Sequence, residues 1–339
     1  MNIAFRVDAS PEIGLGHLMR CGALSEALTQ RGNSCMFLSK ITNKKLLNSI
    51  KKTNATHQNI PPDVSLKKDL EIVIKLSHET EIDWVITDHY AIDTHYLKTI
   101  KKNGFKVLSI DDTAQIHYPS DLVVNQNAGA KQLRFSAETY TKFLLGPEYA
   151  ILRDNLLMRE QKKENTGVKK LLITIGGTDP DNFTLRILRE LESIDPNIEI
   201  TTVLGPYNRF YNTIRRYADK SDQNIVLRSS PKNMVDMYLA SDIAISAGGS
   251  SCYELAYFGI PHLIIAVAEN QLNIARELGK QKISIFLGEK NDIKKGFVKD
   301  KVKDLIDDPL LRRHMSQNGR KLVDGNGKQR IVHVMEKIH

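Results

Sequence analysis

Short apolar runs alternate with amphipathic helical stretches from one end of the chain to the other, an order that fits repeated β-α units and parallel sheets. In the first half, apolar runs at 2–7, 34–39, 83–88, 106–111 and 121–126 predict strands. Helical patterns lie between them at 16–31, 67–78 and 93–102. Residues 161–168 are polar and without periodicity, which marks a linker. The pattern then restarts, with strands expected at 169–175, 199–204, 224–228, 242–246, 261–267 and 283–287 and three helical stretches after about residue 295. A length of 339 residues exceeds what one hydrophobic core usually serves. The expectation is therefore an N-terminal Rossmann-like domain over 1–160 and a C-terminal one over 161–339, facing each other across a cleft.

Composition narrows the function. With 41% hydrophobic and 26% charged residues, the chain reads as soluble and globular. No apolar run approaches the roughly 20 residues that span a bilayer, and no basic-then-apolar leader opens the chain. Cys21, Cys35 and Cys252 are scattered and lack zinc-ligand spacing, as expected of a cytoplasmic protein without disulfides or a bound metal. The net charge of +8 comes from dispersed pairs such as Lys44-Lys45 and Lys101-Lys102. That distribution argues against a nucleic acid partner and suits a small anionic substrate. No obligate protein partner is evident.

In parallel α/β sheets, ligands bind beyond the carboxyl ends of the strands. After the first strand come Arg6, Asp8 and Ser10, then Gly14, Gly16 and His17 at the opening of a helix. A third glycine is missing, and Cys35 and Met36 stand where a dinucleotide site needs an acidic ribose ligand, so NAD is not expected. What remains is a tight turn through which a ligand can approach the backbone. His17 would face the cleft, and the positive end of the helix favours the neutral imidazole that a general base requires. Asp88, His89 and Tyr90 end another strand and suit hydroxyl binding or proton transfer. Asp111 and Asp112 end the next. Each alone could be a turn or cap residue; together on one edge they are expected to line a site.

In the second half, Gly176 and Gly177 follow a strand without the Lys-Ser/Thr of a Walker loop, and Asp179 or Asp181 is expected to cap the next helix. Gly248, Gly249, Ser250 and Ser251 lie between a buried strand and a helix, the arrangement of a diphosphate site that needs no metal. Glu254 would complete a capping box with Ser251 or reach the ribose hydroxyls of a nucleotide. Asn270 and Gln271 open the following helix and would contact phosphate or sugar, or cap.

Taken in order, Arg6-Asp8-Ser10-Gly14-Gly16-His17-Arg20-Cys21, Thr87 to Asp93, Ile110 to Asp112, Ile175 to Asp179, Ser246 to Pro261 and Asn270-Gln271 resemble the UDP-2,4-diacetamido-2,4,6-trideoxy-β-L-altropyranose hydrolases of pseudaminic acid biosynthesis. The resemblance runs over roughly residues 1 to 280, and its second-half motifs are shared with glycosyltransferases of the GT-B type. It implies a GT-B fold and hydrolysis of a UDP-sugar, with UDP as product, no metal and no cofactor. The family's essential histidine falls on His17 and its active-site tyrosine on Tyr90. Its UDP-binding glutamate and Asn-Gln pair fall on Glu254, Asn270 and Gln271. One departure is Ala91, where a glycine often follows the tyrosine. Asp8 is expected beside His17 and Tyr90 on the sugar side. The rival readings are a GT-B glycosyltransferase, a UDP-sugar 2-epimerase and a non-catalytic nucleotide-sugar binder.

Overall fold

The structure is a computed structural model that describes every residue except 11–14, 158–166, 206, 232 and 339; the side chains of residues 44, 45 and 49 are likewise left aside. Most of the 161–168 linker therefore lies outside the described residues. The chain forms two compact units, Met1–Asp154 with Gly325–His339, and Asn155–Asp324.

In the first unit the strands are β1 (Asn2–Val7), β2 (Ser34–Ser39), β3 (Thr56–Asn59), β4 (Trp84–Asp88), β5 (Lys106–Ile110), β6 (His117–Tyr118), β7 (Leu122–Asn125), β8 (Ser136–Ala137) and β9 (Lys142–Leu145). Seven of them make one sheet in the order β3-β2-β1-β4-β5-β7-β9, every pair parallel, while β6 and β8 pair apart. The helices are α1 (Gly16–Thr29), α2 (Lys44–Lys51), α3 (Leu66–Glu79) and α4 (Thr94–Lys102), and α5 (Asp154–Leu157) follows where the chain passes to the second unit.

The second unit repeats the plan. Strands β10 (Lys170–Thr174), β11 (Glu199–Leu204), β12 (Ile225–Ser229), β13 (Ile243–Ala247), β14 (His262–Ala266) and β15 (Ser284–Glu289) form a parallel sheet in the order β12-β11-β10-β13-β14-β15. Helices α6 (Phe183–Glu190), α7 (Tyr211–Ala218), α8 (Met234–Ala240), α9 (Ser251–Phe258), α10 (Leu272–Lys280), α11 (Phe297–Asp307) and α12 (Pro309–Leu322) accompany it. Both sheets reverse their strand order once, between β1 and β4 and between β10 and β13. A crevice at the carboxyl end of such a reversal is where doubly wound sheets take ligands.

The division differs from the expected 1–160 and 161–339. The last helix, α13 (Gly327–Glu336), belongs to the first unit, where Ile331, Val332 and Met335 join the core that holds Leu24 and Leu28 of α1. This placement explains the composition of α1. With the sheet on one side and α13 on another, it buries Leu18, Cys21, Leu24 and Leu28 together with the small Ala23, Ser25 and Ala27. A helix enclosed this way shows little of the one-sided pattern of a surface helix. Gly327 fits tightly there: a Cβ on it would lie 2.3 Å from the Ala150 carbonyl oxygen.

Candidate functional site

The carboxyl ends of β1 and β4 meet the opening of α1, and polar side chains are held there against the core. Gly16 begins α1, is exposed, and would bring a Cβ within 4 Å of nothing, so the protein itself does not require glycine there. Gly14 lies outside the described residues. His17, the second residue of α1 and 8% exposed, sets Nδ1 2.6 Å from Oδ1 of Asp88, the last residue of β4. Burial alone would raise the Asp88 pKa, but the neighbouring Arg20 charge and His17 hold it far below the carboxylate range. As a carboxylate it only accepts, so Nδ1–H of His17 donates and the Nε2 lone pair is left for chemistry.

Arg20 lies one helical turn beyond His17 on the same face. Its Nε and one terminal nitrogen donate to the two oxygens of Asp88 at 2.7 and 2.6 Å. Its two terminal nitrogens donate to the two oxygens of Asp112 at 2.9 Å each. The terminal nitrogen 3.1 Å from Nδ1 of His17 already commits both hydrogens to the carboxylates, so that approach is a packing contact of two donors. The hydroxyl of Tyr90 donates to Asp112 at 3.1 Å, and the Asn127 amide donates to it at 2.8 Å. Burial opposes the charge on Asp112, but Arg20 holds it below its ordinary value. Tyr90, 56% exposed, meets the His17 ring edge to face with centroids 4.8 Å apart. Burial pushes the Cys21 thiol up, and Asp88 adds to this, which leaves it a packing residue and not a nucleophile.

A second network stands beside the first. Asp8 accepts from Arg6 at 2.8 Å, from Nε2 of His89 at 3.2 Å and from the backbone N–H of Lys40 at 2.7 Å. Burial opposes its charge, while His89 and Arg6 hold it below the usual range. The Ala91 N–H donates to Nδ1 of His89 at 3.0 Å, which assigns the ring proton to Nε2. Arg6 donates through Nε and a terminal nitrogen to Asp69 at 2.9 and 2.7 Å. Arg6, expected to touch substrate, is 2% exposed and holds Asp8, while its Nη1 is buried without a hydrogen-bond partner among the described residues. Asp88, also expected to touch substrate, is equally enclosed and bonded to His17. Asp8, expected among the catalytic groups, is engaged from inside and presents His89. Ser10, just past β1, is half-buried.

The second unit builds its candidate site mainly from backbone. Gly176 has φ +93°, in the left-handed region that glycine enters without strain. A Cβ on Gly205 would sit 2.4 Å from the Gly177 Cα, so the loops after β10 and β11 pack backbone to backbone. Asp179 accepts the N–H groups of Phe183 and Thr184 at 2.7 and 3.0 Å and caps α6, while Asp181 pairs with Lys290. The capping alternative thus holds for Asp179.

Beyond β13, the Gly248 N–H is occupied by Ile265 O and Gln271 Oε1, each at 3.2 Å. The next three N–H groups, of Gly249, Ser250 and Ser251, make no hydrogen bond among the described residues, and they open α9. Three orphan donors at the positive end of a helix form an anion seat. A Cβ on Gly249 would also meet nothing within 4 Å. The capping box does not form: α9 is capped at Ser250 without a side-chain bond, and the Glu254 carboxylate accepts the Tyr238 hydroxyl at 2.5 Å. Gln271 does not cap either, because its Oε1 also takes the Val267 N–H at 3.1 Å and ties together the ends of β13 and β14. Asn270 is exposed beside it.

Among the described residues no cluster of three or more His, Cys, Asp or Glu is arranged to hold a metal, and no helix is long and apolar enough to cross a membrane. Arg20 appeared in the sequence reading only within the resemblance motif and was given no role, and Asn127 was not named there. A signal for Arg20 was present in its three-residue spacing from His17; Asn127, at the end of β7, carries none.

Residues 170–333 match the model of the glycosyltransferase family 28 C-terminal domain. The chain is 29% identical over 80% of its length to the uncharacterized protein MJ1062 of Methanocaldococcus jannaschii, and spans 56% of that protein. It is 25% identical over its full length to 99% of the spore coat polysaccharide biosynthesis protein SpsG of Bacillus subtilis. Over 69% of its length it is 28% identical to UDP-2,4-diacetamido-2,4,6-trideoxy-beta-L-altropyranose hydrolase of Campylobacter jejuni, covering 84% of that protein. Among solved structures, Acinetobacter baumannii MurG superimposes over the whole of both chains with a TM-score of 0.73 at 13% identity. With two parallel-sheet units of Rossmann order and this likeness, the chain has the GT-B fold.

Proposed function

We propose that this chain hydrolyses a UDP-sugar at the anomeric carbon, releasing UDP and the free sugar, and that its substrate is UDP-2,4-diacetamido-2,4,6-trideoxy-β-L-altropyranose in nonulosonate biosynthesis. The observation that carries the reading is the 2.6 Å bond from His17 to Asp88, which leaves Nε2 basic at the ligand-binding edge of the first unit. In the proposed step, Nε2 takes a proton from water as the water oxygen bonds to the anomeric carbon. The bond from that carbon to the diphosphate oxygen breaks, and its electron pair leaves with UDP. Asp88 stabilises the imidazolium that forms. The N–H groups of Gly249, Ser250 and Ser251 and the α9 dipole receive the charge that develops on UDP. Displacement at carbon inverts the anomeric configuration. The names of the Campylobacter and Bacillus relatives support the substrate class.

Glycosyl transfer is the second reading, favoured by the family 28 match over 170–333. The two separate on incubation with the UDP-sugar and no acceptor, in EDTA. Release of free UDP at full rate is expected. A strict need for an acceptor establishes transfer, and a strict need for magnesium overturns the diphosphate seat described above.

A further inference from the structure

We propose that Arg20 is a positioning residue that sets the proton affinity of His17: wedged between Asp88 and Asp112, it cancels one of two carboxylate charges and leaves the other to hold the proton that His17 takes up. The inference rests on His17 being the base. It concerns residues beyond the histidine and tyrosine of that reading.

The groups facing His17 come from three places. Arg20 and the Cys21 thiol come from α1, Asp88 and Tyr90 from the end of β4 and the loop beyond it, and Asp112 from the end of β5. The Asp8–His89 pair stands at the adjoining strand end. Arg20 and Asp112 are each 10% exposed in their side chains and Asp88 is 1% exposed, so solvent screens these charges weakly. Two carboxylates against one guanidinium leave a single negative charge in the cluster. Protonation of His17 neutralises it. Without Arg20 the surplus would double and the imidazole would hold its proton too tightly to serve as a base near neutral pH. Without Asp112 the charges of Arg20 and Asp88 would cancel, leaving only the short Asp88 hydrogen bond to favour the imidazolium.

Geometry adds a second demand. Arg20 donates along two edges, one to each carboxylate, and fixes the Asp88 oxygen on which the His17 tautomer depends. A lysine ammonium carries the charge but cannot present two parallel pairs of donors. The same fork orients Asp112, which receives the Tyr90 hydroxyl. Tyr90 therefore directs its hydroxyl proton at Asp112.

The test uses the full chain with isotopically labelled histidine, following the His17 midpoint by NMR and the acidic limb of kcat/KM in parallel. Arg20→Gln should move both upward by about one pH unit or more, and Asp112→Asn should move both downward by a similar amount. Arg20→Lys should return the midpoint to near the wild-type value while kcat remains about tenfold or more reduced, because charge is restored and the fork is not. Movement of Arg20→Gln and Asp112→Asn in the same direction overturns the proposal. Should Arg20→Gln not fold, Asp112→Asn decides alone, and an unmoved midpoint there overturns it. If the midpoints move oppositely while His17→Ala retains turnover, the charge coupling stands and the general-base reading falls.

Discussion

The two units share one topological feature, a carboxyl edge where strand order reverses, but they equip that edge in opposite ways. The first fills it with charged side chains bonded mainly to one another, from Asp69 through Arg6 to Asp8, and from His17 through Asp88 and Arg20 to Asp112. The second leaves backbone donors open at Gly249, Ser250 and Ser251 and uses Gln271 and Asp179 to hold the surrounding loops. A closed network fixes where a proton sits. An open row of N–H groups fixes where a negative charge can rest. Under the proposed function the first unit serves proton transfer and the second anion binding, and each prediction below tries to break that division.

The largest expected effect is in the first unit. His17→Ala should lower kcat by about two to four orders of magnitude and leave UDP affinity unchanged by calorimetry. Asp88→Asn should approach the same loss, because an amide no longer selects the tautomer with Nε2 free. Loss of UDP binding in either variant would erase the division.

Next come two adjacent glycines in the second unit. Gly249→Ala should weaken UDP about tenfold without changing the melting temperature, since a Cβ there meets no protein atom and would stand in the anion seat. Gly248→Ala should instead destabilise the protein by about 1–3 kcal/mol, because its Cβ would lie 2.9 Å from Gln271 Cβ. Equal effects of the two on UDP affinity would remove the special role of Gly249.

Glu254→Ala should lower stability by about 1–3 kcal/mol by removing the acceptor that the buried Tyr238 hydroxyl meets at 2.5 Å. Adding Tyr238→Phe should recover most of that stability. A loss of UDP affinity that survives in the double variant identifies Glu254 as a nucleotide ligand, and full recovery makes it a structural partner only.

The last effect, confined to acid, is on stability. Burial lowers His262, the first residue of β14, to about 4. Between its ordinary value near 6.5 and about 4 the unfolded chain binds the additional proton, so stability falls by about 3 kcal/mol as pH drops through that window. Asp8 and Asp88 in the first unit have depressed values, so their stabilisation is present above the ordinary carboxylate range and is lost only below it. Hydrogen exchange at mildly acidic pH should therefore open β14 before β4. His262→Asn, which keeps a donor for the Ile260 carbonyl, should remove the difference.

Much of this architecture is legible in the sequence where a segment is buried on both faces. Asn2–Val7, Trp84–Asp88 and Ile243–Ala247 read as strands because almost every position is apolar and enclosed. Thr56–Asn59 went unread because it is a polar edge strand, largely exposed on both faces. That α13 is a helix is visible, but its return to the first unit is not, since Ile331 and Met335 would suit any apolar core. The site divides the same way. Position at strand ends picks out His17, Asp88 and Tyr90. The Arg6 ion pair was not legible because its partner Asp69 lies 63 residues away in the first turn of α3, and no local spacing reveals such a pair. Orphan N–H groups follow from a helix opening, whereas the bonds that occupy Gly248 depend on Gln271 folding back.

Water attack at carbon, directed by His17, is tested most directly by turnover in ¹⁸O-labelled water followed by ³¹P NMR of the released UDP. Phosphorus-bound oxygen does not exchange with solvent, so the nucleotide product records which bond was cut. The account predicts UDP without label, together with early appearance of the inverted anomer of the free sugar. Label in the terminal phosphate would mean attack at phosphorus and would contradict it.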